Sequence, residues 1–216
     1  MGKVKIKWSS NFAYAIGLLA TDGCLSTDGR HIELTSSDSE QLENFNLCLG
    51  IQVKIGSKKG SYGVMSSRVQ FGDVLFFDFL KSIGLSQAKS LTLGRIDVPE
   101  KYFFDFLRGC FDGDGCSYSY WDPRWKSSYM LYVCFASASL NFITWIRGEI
   151  QNRAKIFGHV TSTKRKNGCY QLKYAKSDSL VLIKEMYKNK KGIYLKRKRL
   201  KIDESLGIIR KLGNRP

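Results

Sequence analysis

The chain repeats itself, and an internal duplication constrains a fold more tightly than composition does. Segments Ala15–Gly23 (AIGLLATDG) and Leu107–Gly115 (LRGCFDGDG) both carry Gly at the third position and Asp-Gly at the eighth and ninth, and Cys comes directly after each. The equivalent aspartates, Asp22 and Asp114, lie 92 residues apart in a chain of 216. The stretches downstream of the two copies also match in order. After the first, Cys24–Thr27 and His31–Ser36 flank the tight-turn pair Asp28 and Gly29, and Ile32 and Leu34 alternate with polar neighbours as in a half-buried strand. Asp38 can cap a helix over Ser39–Leu49 that closes at Gly50. A second hairpin is expected over Gln52–Ser57 and Tyr62–Gln70, turning at Lys58–Gly60, before a helix that begins near Asp73. After the second copy come expected strands Cys116–Tyr120 and Tyr129–Ala136 and a helix over Ser139–Phe157 that stops at Gly158. A hairpin His159–Arg165 and Cys169–Ala175, turning at Asn167 and Gly168, then leads to a helix from near Asp178. Each half thus reads helix, hairpin, helix, hairpin, helix, which predicts two copies of one α+β unit, 1–96 and 97–216.

Both repeated segments end apolar stretches that read as helices, with Ser10 as the cap of the first and Pro99 in the first turn of the second. Ala13, Gly17 and Ala20 on one, and Gly109 and Gly113 on the other, form smooth stripes that let two backbones approach. Asp22 and Asp114 then fall at helix C-termini, where the macrodipole is already negative. Packing the helices side by side brings the two carboxylates together as well. A divalent cation between them relieves both penalties. Oxygen donors suit Mg²⁺, with Mn²⁺ or Ca²⁺ able to take the same place, and such ions serve phosphodiester hydrolysis.

Lys and Arg number 35 against 19 Asp and Glu, a formal charge of +16, which calls for a polyanionic partner. The excess is uneven: residues 1–97 hold 11 basic and 9 acidic side chains, the remainder 24 and 10, so the second half is expected to supply more of the phosphate grip. Hydrophobic residues at 43% exclude a disordered basic tail. Apolar runs such as Val74–Leu80 are too short to span a bilayer, and no signal-peptide pattern opens the chain, so no membrane association is expected. The six cysteines form no C-x-x-C pair, and two histidines are too few to build a zinc site with them or a histidine-based hydrolase.

On these residues the chain resembles the LAGLIDADG homing endonucleases of the single-chain, two-motif kind. The first copy departs at Ala20, where the motif often has an acid; the eighth-position acid is kept in both copies. The resemblance implies a pseudo-twofold αββαββα pair whose antiparallel sheets form a saddle over double-stranded DNA, and a monomer that hydrolyses both strands across the minor groove. It implies Asp22 and Asp114 as catalytic metal ligands, with the Thr21 and Gly113 carbonyls as further ligands. It also implies Lys176 as a basic residue near a scissile phosphate, Gln70 or Arg68 as its first-half substitute, and Ser37 and Ser137 as solvent-positioning residues. By strand alternation the residues expected to address DNA are Ser26, Arg30, Glu33, Thr35, Lys54, Lys58, Lys59, Arg68 and Gln70 in the first half. The second half offers Ser117, Tyr118, Tyr120, Arg124, Lys126, Thr161, Thr163, Lys164, Arg165, Lys166, Gln171 and Lys173. The basic run Lys188–Lys201, whose counterpart is Leu85–Arg95, reads as a helix flanking DNA. Alternative functions on the same scaffold are an intron maturase, with host intron RNA as a partner, or a DNA-binding regulator without cleavage. A prokaryotic cytoplasm or an organelle matrix is the expected location.

Overall fold

The computed structural model describes residues 2–59, 63, 65–162 and 168–213. The first repeat runs α1 (Ser10–Thr21), β1 (Gly23–Leu25), β2 (His31–Ser36), α2 (Ser39–Leu49), β3 (Gly56–Lys59), β4 (Met65–Gly72) and α3 (Val74–Ser82). A 3₁₀ turn over Glu100–Tyr102 opens the second: α4 (Phe103–Asp114), β5 (Cys116–Trp121), β6 (Tyr129–Ser137), α5 (Leu140–Ala154), β7 (His159–Ser162), β8 (Tyr170–Tyr174) and α6 (Lys176–Met186). A last helix, α7, covers Lys196–Gly213. The two antiparallel sheets have the same topology, β1-β2-β4-β3 and β5-β6-β8-β7, so the expected α+β architecture is the observed one. Among the described residues no helix is long and apolar enough to cross a membrane.

Capping explains where the helices begin. Asp38, Asp73 and Ser139 each accept a backbone N–H of the first turn, at 3.1, 3.1 and 3.4 Å, so α2, α3 and α5 start where a short polar side chain can satisfy an orphan donor. α1 is capped by Ser9 (Phe12 N–H at 3.1 Å), one residue before the expected Ser10. Residues Phe12–Ala20 of α1 are all buried, and α4 buries nearly every side chain as well, so the two motif helices form the centre of the molecule.

Four expectations are corrected. The second hairpin of the first half is displaced toward the C-terminus: Lys58 and Lys59 lie in β3, paired with Ser66 and Met65, not in its turn. Helix α5 ends at Ala154, because Lys155 adopts a left-handed conformation (φ 56°). Helix α6 begins at Lys176, and Asp178 accepts the Phe157 N–H at 3.2 Å across the loop instead of capping the helix. The basic run is helical only from Lys196 onward. The expected Asn167–Gly168 turn lies largely outside the described residues.

A buried polar network fixes the connector between α6 and α7. Arg108, 1% exposed on α4, donates to the carbonyls of Met186 (2.6 Å) and Ile193 (2.8 Å) and to Asp105 (2.8 Å). One turn on, Asp112 accepts the Tyr14 hydroxyl and the Leu195 N–H, both at 2.7 Å. Burial pushes the Asp112 carboxyl up to about 6 despite those donors. The network delivers the start of α7 to the C-terminal end of α4.

Candidate active site

The site forms where α1 and α4 end. Their backbones touch at Gly17 and Gly109: a Cβ on Gly109 would lie 2.1 Å from the Tyr14 carbonyl oxygen, and one on Gly17 would lie 2.2 Å from that of Phe106. Toward the C-termini, a Cβ on Gly113 would lie 2.9 Å from the Asp22 Oδ2, so Asp22 projects across the seam onto the residue that precedes Asp114. The duplicated aspartates therefore meet, as the motif spacing predicts. Burial, and then the Asp114 charge, push the Asp22 carboxyl up to about 6, against the opposing effects of Gln41, Lys198 and Lys89. Burial raises Asp114 too, with Lys198 and Lys89 acting against it.

Two lysines outside the repeated motif close the site. Lys89 donates to the carbonyls of Thr21 (3.3 Å) and Gly23 (2.6 Å) at the end of α1. Lys198 donates to those of Phe111, Gly113 and Gly115 (2.8, 2.8 and 2.7 Å) at the end of α4. Each ammonium thus caps the negative end of a motif helix beside its aspartate. Burial lowers the pKa of both lysines, while the aspartates pull the other way. One sequence signal links the pair: both segments read Lys-x-Leu, Lys89–Leu91 and Lys198–Leu200. Lys176, expected in this role, opens α6, and the Asp22 and Asp114 environments contain Lys89 and Lys198 instead.

The two halves of the site differ. Gln41 on α2 donates to Asp22 Oδ2 at 2.6 Å and accepts the Ser36 hydroxyl at 3.0 Å. Matching the caps Asp38 and Ser139 makes Phe142 the counterpart of Gln41 and Ser137 that of Ser36. Beside Asp114 there is accordingly a cavity of about 140 Å³ lined by Thr21, Lys89, Ser137 and Phe142. Among the described residues no cluster of three His, Cys, Asp or Glu exists that could enclose a metal. Two neighbouring carboxylates, one of them lining this cavity, nevertheless fit a hard ion that keeps several waters and takes remaining oxygens from a phosphate substrate. The Thr21 and Gly113 carbonyls, expected as ligands, each accept a lysine ammonium.

Each sheet has a core face and a polar face. On the first polar face Glu33, 7% exposed, accepts Lys58 and Arg68 (the latter at 3.1 Å), and these ion pairs hold its carboxyl below the usual range although burial alone would raise it. Register places Gln70 opposite Glu33 and Arg68 opposite Thr35, and Ser26 extends the row beside His31. Gln70 is thus a residue of this face, whereas Gln41 contacts the aspartate. Lys59 takes the opposite phase to Lys58, Lys54 precedes β3, and Arg30 lies 3.6 Å from Asp28 in the turn. The second polar face carries Cys116, Tyr118 and Tyr120 on β5, with Lys173 and Gln171 on β8 and Thr161 on β7. Ser117 is a correction: it is 5% exposed on the core face of β5, so its hydroxyl points away from any ligand on the polar side. Arg124 forms a bidentate pair with Asp122 (3.1 and 2.9 Å) beyond β5, and Lys126 is exposed in the same loop. Thr163, Lys164, Arg165 and Lys166 lie outside the described residues.

No family model and no curated protein matches the sequence. Solved structures do match the fold. The homing endonuclease I-WcaI bound to its DNA recognition sequence aligns over 91% of this chain and 88% of its own, with a TM-score of 0.60 at 12% identity. I-DmoI in complex with DNA and Ca aligns over 82% and 88% (TM-score 0.54, 11% identity). The N-terminal LAGLIDADG domain of DUF199/WhiA aligns over 83% and 82% (TM-score 0.53, 16% identity). With two repeats of one topology joined through their motif helices, the chain has the LAGLIDADG fold shared by these homing endonucleases and the WhiA domain.

Proposed function

We propose that this chain is a divalent-metal-dependent endonuclease that cuts both strands of a specific duplex DNA site. The observation that carries the reading is the meeting of Asp22 and Asp114, one from each repeat, at a seam capped by two lysines. The DNA-bound I-WcaI and I-DmoI structures share the fold, and the latter's complexes with Ca and with Mn support a divalent ion.

Asp22 and Asp114 would hold Mg²⁺, which supplies Lewis-acid stabilisation of the leaving oxygen and activation of water. Gln41 fixes the Asp22 carboxylate so that one oxygen keeps a constant direction. Lys89 commits two donors to the Thr21 and Gly23 carbonyls where α1 ends and β1 begins, and presents its charge beside the Asp114 cavity, where a scissile phosphate oxygen would enter. Lys198 directs hydrogen bonds to the Phe111 and Gly113 carbonyls of α4 and to that of its C-cap, Gly115, and so acts mainly by holding the end of that helix. The polar sheet faces would read the flanking base pairs, since a two-stranded ribbon fits the major groove.

Incubation of the protein with a randomised duplex library and Mg²⁺, and then sequencing of the ends, tests the proposal. Double-strand ends at a common site are expected; retention of a selected duplex without ends would instead indicate a binding protein, and accelerated splicing of a host intron a maturase. Lys89→Met is expected to slow cleavage at least tenfold with target affinity changed less than threefold, measured by single-turnover kinetics and filter binding. Lys198→Met removes charged hydrogen bonds worth about 1.5–3 kcal/mol and is expected to lower the melting temperature by roughly 5 °C.

Cleavage also depends on pH with a defined sign. Asp22 must be ionised to hold a cation, so activity falls as pH drops through about 6. Metal competes with the proton, so raising Mg²⁺ should move that midpoint lower. A midpoint indifferent to Mg²⁺ between pH 5 and 7 (roughly the window where such a carboxyl titrates) would detach Asp22 from metal binding.

A further inference from the structure

We infer that Tyr118, Tyr120 and Tyr132 form a rigid ridge that reads base edges in duplex DNA, giving the second half of the target a recognition chemistry the first half lacks. The inference rests on the proposed duplex-DNA function and deepens it.

Register puts Tyr118 directly opposite Tyr132, and strand alternation puts Tyr120 on the same face, the polar one. The rings are nearly parallel: Tyr118 and Tyr132 stack at 5.0 Å and 18°, Tyr118 and Tyr120 at 6.4 Å and 5°, Tyr120 and Tyr132 at 6.1 Å and 13°. Side chains stand roughly perpendicular to a sheet, so parallel rings stacked on one another present edges and hydroxyls outward while their faces are taken up by each other. Edges and hydroxyls match what a major groove displays: acceptors at purine N7 and guanine O6, and the thymine methyl group. A single-stranded nucleic acid asks for free ring faces on which splayed bases stack, and the Tyr118–Tyr132 stack turns one face of each of those two rings toward the other.

The ridge is uncharged. Burial, and after it the neighbouring cysteines and tyrosines, raises Tyr118 to about 12, and the hydrogen bond that Tyr132 donates to Tyr120 raises Tyr132, so these two phenols stay protonated. Nothing equivalent exists among the described residues of the first sheet. There the matching places are Ser26 and His31, the hairpin turns at once through Asp28 and Gly29, and the face is dominated by the Glu33 ion pairs. The second hairpin extends to Trp121 and Tyr129, which gives the ridge its length. Rings 5.0–6.4 Å apart, against a base-pair rise of about 3.4 Å, would cover two to three base pairs.

The test is selection from a randomised duplex library with the wild type, the double variant Y118A/Y120A and the triple variant Y118F/Y120F/Y132F, with affinity then measured across a salt series. The wild type is expected to select a site with a block of about two to three preferred pairs, thymine-rich, on one flank. In Y118A/Y120A discrimination within that block should relax roughly 5- to 150-fold, with preferences elsewhere and the salt slope unchanged, because no phosphate contact is lost. The phenylalanine variant keeps the stack and should retain the thymine preference while losing any preference that depends on the hydroxyls. It decides the matter if the alanine variant melts early. Unchanged selection in both variants overturns the ridge as a reading element. So does a uniform affinity loss with a shallower salt slope, which marks a phosphate contact, or a larger loss on single-stranded DNA or RNA than on duplex, which marks base stacking. If the wild type selects no duplex at all, the duplex reading itself falls, and the ridge with it.

Discussion

Asp22→Asn and Asp114→Asn are each expected to reduce cleavage by about 10³-fold or more while binding of the uncut duplex stays within about threefold. Either substitution removes half of the donor set that would hold the cation, and several kcal/mol of transition-state stabilisation translate into a loss of that size. The same substitution at Asp22 should make the metal-free protein more stable. Burial and the facing Asp114 raise the Asp22 carboxyl from 3.8 to about 6, so the folded state binds this proton more tightly than the unfolded chain does. The contribution to stability is therefore fullest below about 3.8 and falls as pH rises through about 6, leaving a destabilising charge at neutral pH. About two pH units correspond to roughly 2–3 kcal/mol, and a neutral amide that still accepts from Gln41 recovers much of it. A melting temperature higher by about 5 °C without metal is the expected calorimetric result. Mg²⁺ or Ca²⁺ should stabilise the wild type and leave Asp22→Asn unmoved. An inactive variant that is also less stable would mean that Asp22 is a structural cap; a fully active one would end the nuclease reading.

Much of this is legible in the sequence because the informative signals are local. The nine-residue motif, the caps Asp38 and Asp73, and the alternation in β2 each depend on neighbours a few residues away, and each helix and strand they announce is present. The displaced hairpin shows the opposite case. Gln52–Ile55 alternates like a strand, but β3 joins β4 only from Gly56, opposite Arg68, and the Val53 carbonyl accepts from Asn46 on α2 (2.7 Å) instead. Pairing, not propensity, decides where β3 begins. Apart from their shared Lys-x-Leu, the lysines of the site leave no mark of their role in the sequence, for a related reason. Lys89 reaches Thr21 from 68 residues away and Lys198 reaches Gly113 from 85, both from segments outside the repeated αββαββα pattern. The buried Arg108–Asp112 network that brings α7 into place has no counterpart in the first motif, where Ile16 and Ala20 occupy the equivalent positions. Strand alternation puts Tyr118 and Tyr120 on one face, but not their stacking with Tyr132, which depends on cross-strand register.

Glycine-to-alanine substitutions should separate the seam from the rest of the fold with opposite signs. At Gly148, inside α5, a new Cβ meets nothing within 4 Å, and alanine should stabilise by about 0.5–1 kcal/mol through helix propensity and a less flexible unfolded chain. At Gly109 the same methyl would lie 2.1 Å from the Tyr14 carbonyl oxygen and 3.0 Å from the Gly17 Cα. Both neighbours are backbone of a helix buried on every side, so no rotamer change can relieve the clash, and α1 and α4 must move apart by roughly an ångström. A loss of about 4 kcal/mol or more is expected, at the upper end of what one substitution does. The damage should be larger for cleavage than for DNA affinity, because the sheets keep their own ladders while the gap between Asp22 and Asp114 widens. Thermal melts paired with single-turnover cleavage of the two variants provide the check. If Gly109→Ala melts with the wild type, the helices are not in backbone contact, and the shared seam that brings the two aspartates together does not exist.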